Sequence, residues 1–185
     1  MIFQKKIALA CASILTLTSV DACAAQTTMR PTTNYINNLD AVLKNAKNNS
    51  NMSVIFPAEV PTSHVKLYAS ETSRSDFWAI YIDSTADCNG AHFCNVGYIM
   101  AQNKGKIEQI YFDMKTHTKI KKQSIMLADG LPAVYTPGHA EGDWHNPSLE
   151  WKLDDVAYML TWQNGVNIKK ALVTMANSAM HPGSN

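Results

Sequence analysis

Four side chains that could bind a metal ion stand at alternate positions in the second half of the chain. They are His139, Glu141, Asp143 and His145. If this stretch is extended, all four point to one side of the backbone, because side chains alternate along a strand. Imidazole and carboxylate groups together suit zinc and other transition metals. The neighbouring glycines and prolines instead favour a solvated loop, so the loop is our preferred interpretation and a metal site is the alternative.

Clustered positive charge is a second feature that could bind a ligand. Residues 104–122 contain six lysines and only two carboxylates, whereas the charged residues of 129–155 are mostly acidic. Ammonium groups in a cluster attract phosphate and sulfate, so an anionic glycan or lipid headgroup could bind there. The candidate residues for binding such an anion are Lys119, Lys121 and Lys122. The same pattern also arises if the basic and the acidic segments are simply two solvent-exposed surfaces of opposite charge, and we favour that interpretation.

Trp144 is the one aromatic residue of the polar loop that carries the candidate metal ligands. An aromatic side chain without a core to join can be presented to a partner, so Trp144 is a candidate binding residue. The sequence contains no Gly-x-Ser-x-Gly motif, no phosphate-binding loop and no dinucleotide fingerprint. We therefore expect no cofactor and no nucleophilic catalysis. With 16 basic against 15 acidic residues, we also expect no nucleic-acid partner.

The first 24 residues have the pattern of a secretory signal. Two lysines precede the apolar stretch Ile7–Val20, and Ala22-Cys23-Ala24 supplies small residues for cleavage. Lipidation of Cys23 is the alternative, which the aspartate two residues before it disfavours. We predict cleavage after Ala24 and an exported protein, periplasmic or secreted, that does not span the membrane once the signal is removed.

Cleavage would leave Cys88 and Cys94 as the only cysteines. An oxidising compartment favours their pairing as a disulfide, which contributes about 2 kcal/mol for so short a loop. The thiol redox motif instead keeps its cysteines closer together, at the N-terminus of a helix. A zinc site built from the same pair and His92 would need a fourth ligand. We predict the disulfide.

These residues are positioned by elements that the hydrophobic pattern predicts. Helical spacing of apolar residues predicts an amphipathic helix over Asn34–Lys47, with Thr32 and Thr33 as possible caps, and a closing helix from Ile168 to Ala179 that Asn167 could cap. Alternating and β-branched runs predict strands between the helices. The predicted strands are Ser53–Phe56, Val65–Ala69, Phe77–Ile82, Val96–Ala101, Ile107–Phe112, Lys119–Leu127, Leu131–Tyr135, Leu149–Leu153 and Val156–Trp162.

Strands grouped between two terminal helices predict an α+β fold, with a single antiparallel, curved sheet. We predict one domain over residues 25–185, whose ordered core covers about 34–180. Asp154-Asp155 forms a turn between the last two strands, and alternation places Leu149, Trp151 and Leu153 on one face and Glu150 and Lys152 on the other.

Three segments together resemble a family of exported bacterial proteins with an uncharacterised domain. The segments are Val54-Ile55-Phe56-Pro57 followed by Pro61, Asp87 to Cys94 followed by Gly97, and Leu127 to Trp151. The resemblance covers residues 53–162 and implies export, a disulfide-stitched sheet and no established reaction. The chain departs from it where relatives carry a second close cysteine pair, because residues 137–147 contain no cysteine.

The sequence thus predicts an exported, non-enzymatic domain that binds a protein, an envelope component or a small amphiphile. An amphiphile would fit if the sheet forms an apolar groove. The alternative is a metal-binding protein or metal-dependent hydrolase that uses the loop from His139 to His145.

Overall fold

The computed structural model describes residues 27–88, 91, 93–103, 122–138, 146–163 and 165–181. The described residues form an α+β fold, with two helices and a mostly antiparallel sheet, as the sequence predicts. The predicted leader and the predicted strand Ile107–Phe112 lie outside the described residues. The helices are α1 (Leu39–Asn49) and α2 (Ile168–Met180). The strands are β1 (Met29–Pro31), β2 (Ile36–Asn37), β3 (Glu59–Pro61), β4 (Leu67–Arg74), β5 (Phe77–Asp83), β6 (Asn95–Asn103), β7 (Gln123–Met126), β8 (Pro132–Thr136), β9 (Ser148–Leu153) and β10 (Val156–Trp162).

Among the described residues the main sheet has eight strands in the order β2-β4-β5-β6-β10-β9-β8-β7, and β1 and β3 form a second sheet of two strands. The prediction of one antiparallel sheet is therefore wrong. In the main sheet β2 runs parallel to β4, with Ile36 opposite Leu67. The chain leaves β2 through α1 and returns to start β4 at the same end, and parallel neighbours require a crossover of this kind. The main sheet is consequently mixed.

The N-terminal helix begins five residues later than predicted, at Leu39. The predicted caps do not cap it, because residues 32–34 form a separate 3-10 turn. In that turn the buried Thr32 hydroxyl donates to the carbonyl of Pro57, at 3.0 Å. The predicted apolar face is present in α1, where Leu39, Val42 and Ala46 are buried.

The predicted strand Ser53–Phe56 is wrong, because this stretch has no regular secondary structure. Its apolar side chains Val54, Ile55 and Phe56 pack, partly buried, against the core. Their apolar character therefore reflects side-chain burial and not strand pairing. The short strand β3 follows a few residues later and pairs with β1.

The short strands β1, β2 and β3 were not predicted. From β4 onward the described strands agree with the predicted ones within a few residues, apart from β4 itself, which extends five residues further. The Asp154-Asp155 turn joins β9 to β10, and Leu149 and Trp151 are buried as alternation predicts, although Leu153 is 38% exposed. The closing helix α2 buries Leu172, Met175 and Ala176. Asn167 occupies its N-cap position without a side-chain capping hydrogen bond. Within the described part of the chain, no helix is long and apolar enough to cross a membrane.

Both helices pack on one face of the main sheet, and an aromatic cluster forms the centre of that core. Trp78, Ala101 and Tyr158 lie in register on β5, β6 and β10, and Trp151 is next to Tyr158 on β9. The small Ala101 leaves room for the flanking rings to meet edge to face, with centroids 6.2 Å apart. Trp151 stacks on Tyr158 at 5.6 Å. Burial, with a contribution from the charge of Asp154, raises the pKa of the Tyr158 phenol.

We call the sheet face opposite the helices the far face. Ala79, Met100, Ala157 and Met159 form a second buried cluster there, flanked by partly buried aromatic rings. The cluster is separate from the main core because alternate residues of a strand point to opposite sides. The sheet therefore has an apolar centre on each of its faces.

Candidate functional site

Cys88 and Cys94 form the predicted disulfide, with Cα atoms 5.8 Å apart. Both cysteines are buried, at 6% and 3% exposure. The loop between them is tied to β5 by a hydrogen bond from the Ser84 amide to the Cys94 carbonyl, at 2.8 Å. Neither sulfur is free to act as a nucleophile or metal ligand in this state. The pair is therefore a structural staple of the loop between β5 and β6.

Replacement of both cysteines by alanine is expected to lower the free energy of unfolding by about 2 kcal/mol, because the staple no longer restricts the unfolded chain. Urea unfolding of the two proteins measures this difference. A reducing agent should destabilise the wild-type protein by the same amount and leave the variant unchanged. Two free thiols in the native protein, found by alkylation and intact mass, would contradict the staple.

A buried polar cluster supports the base of the same loop and was not predicted from the sequence. The Asn95 side-chain amide donates to the carboxylate of Asp83 at 2.8 Å and to the carbonyl of Gly97 at 3.1 Å. Asp83 is only 2% exposed and also accepts a bond from Ser70 at 3.3 Å. Burial and the charge of Asp83 raise the pKa of Tyr81. Because its polar groups are hydrogen-bonded to one another, the cluster positions the loop.

Most of the candidate site residues from the sequence cannot be compared with the structure. His139, Glu141, Asp143, Trp144, His145, Lys119 and Lys121 lie outside the described residues. Lys122 is described and is exposed, just before β7. Among the residues that the structure describes, no group of three His, Cys, Asp or Glu side chains is arranged to hold a metal ion. The metal site therefore stays a prediction.

The described part of the chain contains a groove of about 430 Å³ over β7, β8, β9 and β10. Its size falls within the range of small-molecule sites. Strand register places its side chains in two rows on the far face. The first row contains Ser124, Val134 and Glu150, and the second contains Met126, Pro132, Lys152 and Ala157.

The groove combines an apolar floor with charged groups of both signs. Val134 and Ala157 supply small aliphatic surfaces, and Met126 at the sheet edge is 62% exposed. Glu150 and Lys152 are two residues apart on β9, so their side chains leave the same face about 7 Å apart. Glu150 is half-buried and Lys152 is exposed. This arrangement suits a molecule that has both an apolar body and a charged head.

The sequence predicted part of this site and missed the rest. Alternation along β9 correctly placed Glu150 and Lys152 opposite the core-facing side chains. It gave no sign that Val134 of β8 and Met126 of β7 lie beside them, because strand order is a non-local property. The small residues Ala157 and Ser124 were the available signal, since small side chains between larger ones leave space.

The family resemblance of residues 53–162 stays a prediction alongside the metal site. No protein-family model, curated protein or solved structure matches this chain.

Proposed function

We propose that the protein is an exported, non-enzymatic domain that binds a small amphiphile in the groove over β7–β10. The observation that carries this proposal is the groove itself, in which an apolar floor lies next to the exposed ammonium group of Lys152. An acyl or aromatic body would cover Val134 and Ala157, and an anionic head would pair with Lys152. The Cys88–Cys94 disulfide is compatible with an oxidising, exported location.

The groove supports binding better than catalysis. Among the described residues that line the groove, only Ser124 and Tyr158 carry a hydroxyl, and the Tyr158 side chain points to the helix-covered core. None of the described lining residues is a histidine that could activate that hydroxyl. The charged groups therefore serve to orient a ligand.

Binding of dodecanoate, measured by displacement of a fluorescent anionic probe such as anilinonaphthalene sulfonate, tests the proposal. Met126→Glu is expected to weaken dodecanoate binding about tenfold, because it places a second carboxylate beside the apolar floor. Met126 is 62% exposed, so this variant should fold normally. Mass spectrometry of gently extracted protein should show a bound amphiphile.

Leu153→Glu is the matched control. Leu153 is an exposed apolar residue near the same end of the sheet, but it does not line the groove. It should bind dodecanoate as the wild-type protein does. Equal binding by the Met126 variant and the wild type, or no binding of dodecanoate by the wild type, would overturn the proposal.

A further inference from the structure

Three exposed apolar side chains lie on loops at one end of the main sheet. Phe93 is 90% exposed, Val166 59% and Val65 48%. Strand register shows that the loops before β4, after β5 and after β10 all lie at this end. We call it the disulfide end, because the loop that carries Phe93 contains the Cys88–Cys94 bridge. The groove lies toward the opposite ends of β7–β10.

Hydrogen bonds and the disulfide hold the described backbone beside the exposed apolar residues of the disulfide end. Phe93 directly precedes the bridged Cys94, whose carbonyl accepts a hydrogen bond from Ser84. The backbone amide of Gln163 donates to the carbonyl of Val96 at 2.7 Å, which ties the loop after β10 to the start of β6. Backbone that is held in this way loses little conformational entropy on binding, so the end is preorganised as a contact surface.

The described chain begins at the same end. The Thr27 hydroxyl donates to the carbonyl of Val166, and the Thr62 amide donates to the carbonyl of Thr28 at 2.8 Å. The disulfide end therefore includes the first described residues as well as the three loops.

Charge at the disulfide end favours an anionic surface. Four lysines of the described chain lie on its loops and on the first turn of α2, against two exposed carboxylates. Ammonium groups beside a lipid surface each contribute to binding through the negative potential of anionic headgroups. The exposed lysines are Lys66, Lys122 and Lys170, and the exposed carboxylates are Asp40 and Asp87. The fourth, Lys169, is half-buried and donates to the side chain of Gln123 at 2.7 Å.

We propose that the disulfide end binds the surface of an anionic membrane. Phe93 inserts among the headgroups, Val65 and Val166 contact the interface beside it, and the lysines pair with lipid phosphates. This orientation points the groove away from the membrane plane. The proposal concerns different residues from those of the groove, so either can fail without the other.

Co-sedimentation with vesicles of phosphatidylglycerol and phosphatidylethanolamine tests the proposal. The wild-type protein and its variants are isolated from a host that exports them, and intact mass is used to ensure that the proteins compared have the same N-terminus. Phe93→Ser should lower the partition coefficient about tenfold, because burial of the ring is lost. Lys66→Gln should lower it about fivefold at low salt, and the difference should shrink as salt is added.

Two variants at the other end of the sheet serve as controls. Leu153→Ser removes an exposed apolar side chain there, and Lys47→Gln removes a charge from the last turn of α1. Both should partition as the wild-type protein does. The proposal fails if the wild type does not sediment with the vesicles, or if Phe93→Ser and Leu153→Ser behave alike. It also fails if the protein does not bind vesicles but associates with itself in solution, and Phe93→Ser abolishes this self-association. The disulfide end would then bind a second copy of the chain and not a membrane.

Discussion

Trp78→Ala is expected to lower the free energy of unfolding by about 3–5 kcal/mol, the cost of removing a buried aromatic side chain. Trp78 is fully buried and meets Tyr158 edge to face above Ala101. Its removal leaves a cavity that the paired strands on either side cannot close. Since the free energy of unfolding of such a domain is only about 5–15 kcal/mol, the variant should lose a large part of its stability. Urea unfolding followed by far-UV circular dichroism gives the value.

Trp78→Phe keeps the experiment informative if the alanine variant does not fold. In the described part of the structure the indole N–H of Trp78 has no hydrogen-bond partner. The phenylalanine variant therefore loses ring volume but no hydrogen bond, and we expect a smaller cost of about 1–2 kcal/mol. Phe93→Ala, which removes an exposed ring, should cost less than about 0.5 kcal/mol. Equal effects at Trp78 and Phe93 would show that the aromatic cluster is not the centre of the core.

Gly97→Ala is expected to lower the free energy of unfolding by about 3 kcal/mol, because there is no room for a side chain at this position. A Cβ atom on Gly97 would lie 2.4 Å from the carbonyl oxygen of Thr161 and 2.7 Å from the ring of Trp162. The first of these atoms belongs to the backbone of β10, which pairs with β6 at this point. Relief of the clash requires the two strands to move apart.

Gly165→Ala is the matched control, because no described atom, apart from those of the residues adjacent in the chain, lies within 4 Å of the Cβ that it would add. It should change the free energy of unfolding by less than about 0.5 kcal/mol. The same urea titration measures both variants. If Gly97→Ala were as stable as Gly165→Ala, the close approach of β6 and β10 would be refuted.

Local patterns predicted the elements well where one segment decides its own structure. The period of Leu172, Met175 and Ala176 predicted α2 because each turn of a helix returns to the same face. Alternation around Asp154-Asp155 predicted the β9–β10 hairpin for a similar reason. The start of α1 was predicted poorly. Apolar spacing continued through Ile36, which belongs to β2 and is buried by pairing with β4.

The candidate site was less predictable than the elements. The predicted cleavage of the leader leaves two of the four cysteines, and these were enough to predict the disulfide, since no other partner remained. The groove depends on Met126, Val134 and Lys152, which come from three different strands. Nothing in the spacing of these residues indicates that they are neighbours.

The sequence by itself determined the α+β class, the closing helix, the last hairpin and the disulfide, because each follows from residue spacing within a short segment or from a count of cysteines. Only the tertiary structure decided that β2 runs parallel to β4, that the stretch around Ile55 packs without strand pairing, and that three exposed apolar loop residues share one end of the sheet. The physical reason is that periodicity reports how deeply each side chain is buried. Which other segment buries that side chain depends on strand pairing between segments that are distant in the sequence, and local spacing does not indicate this pairing.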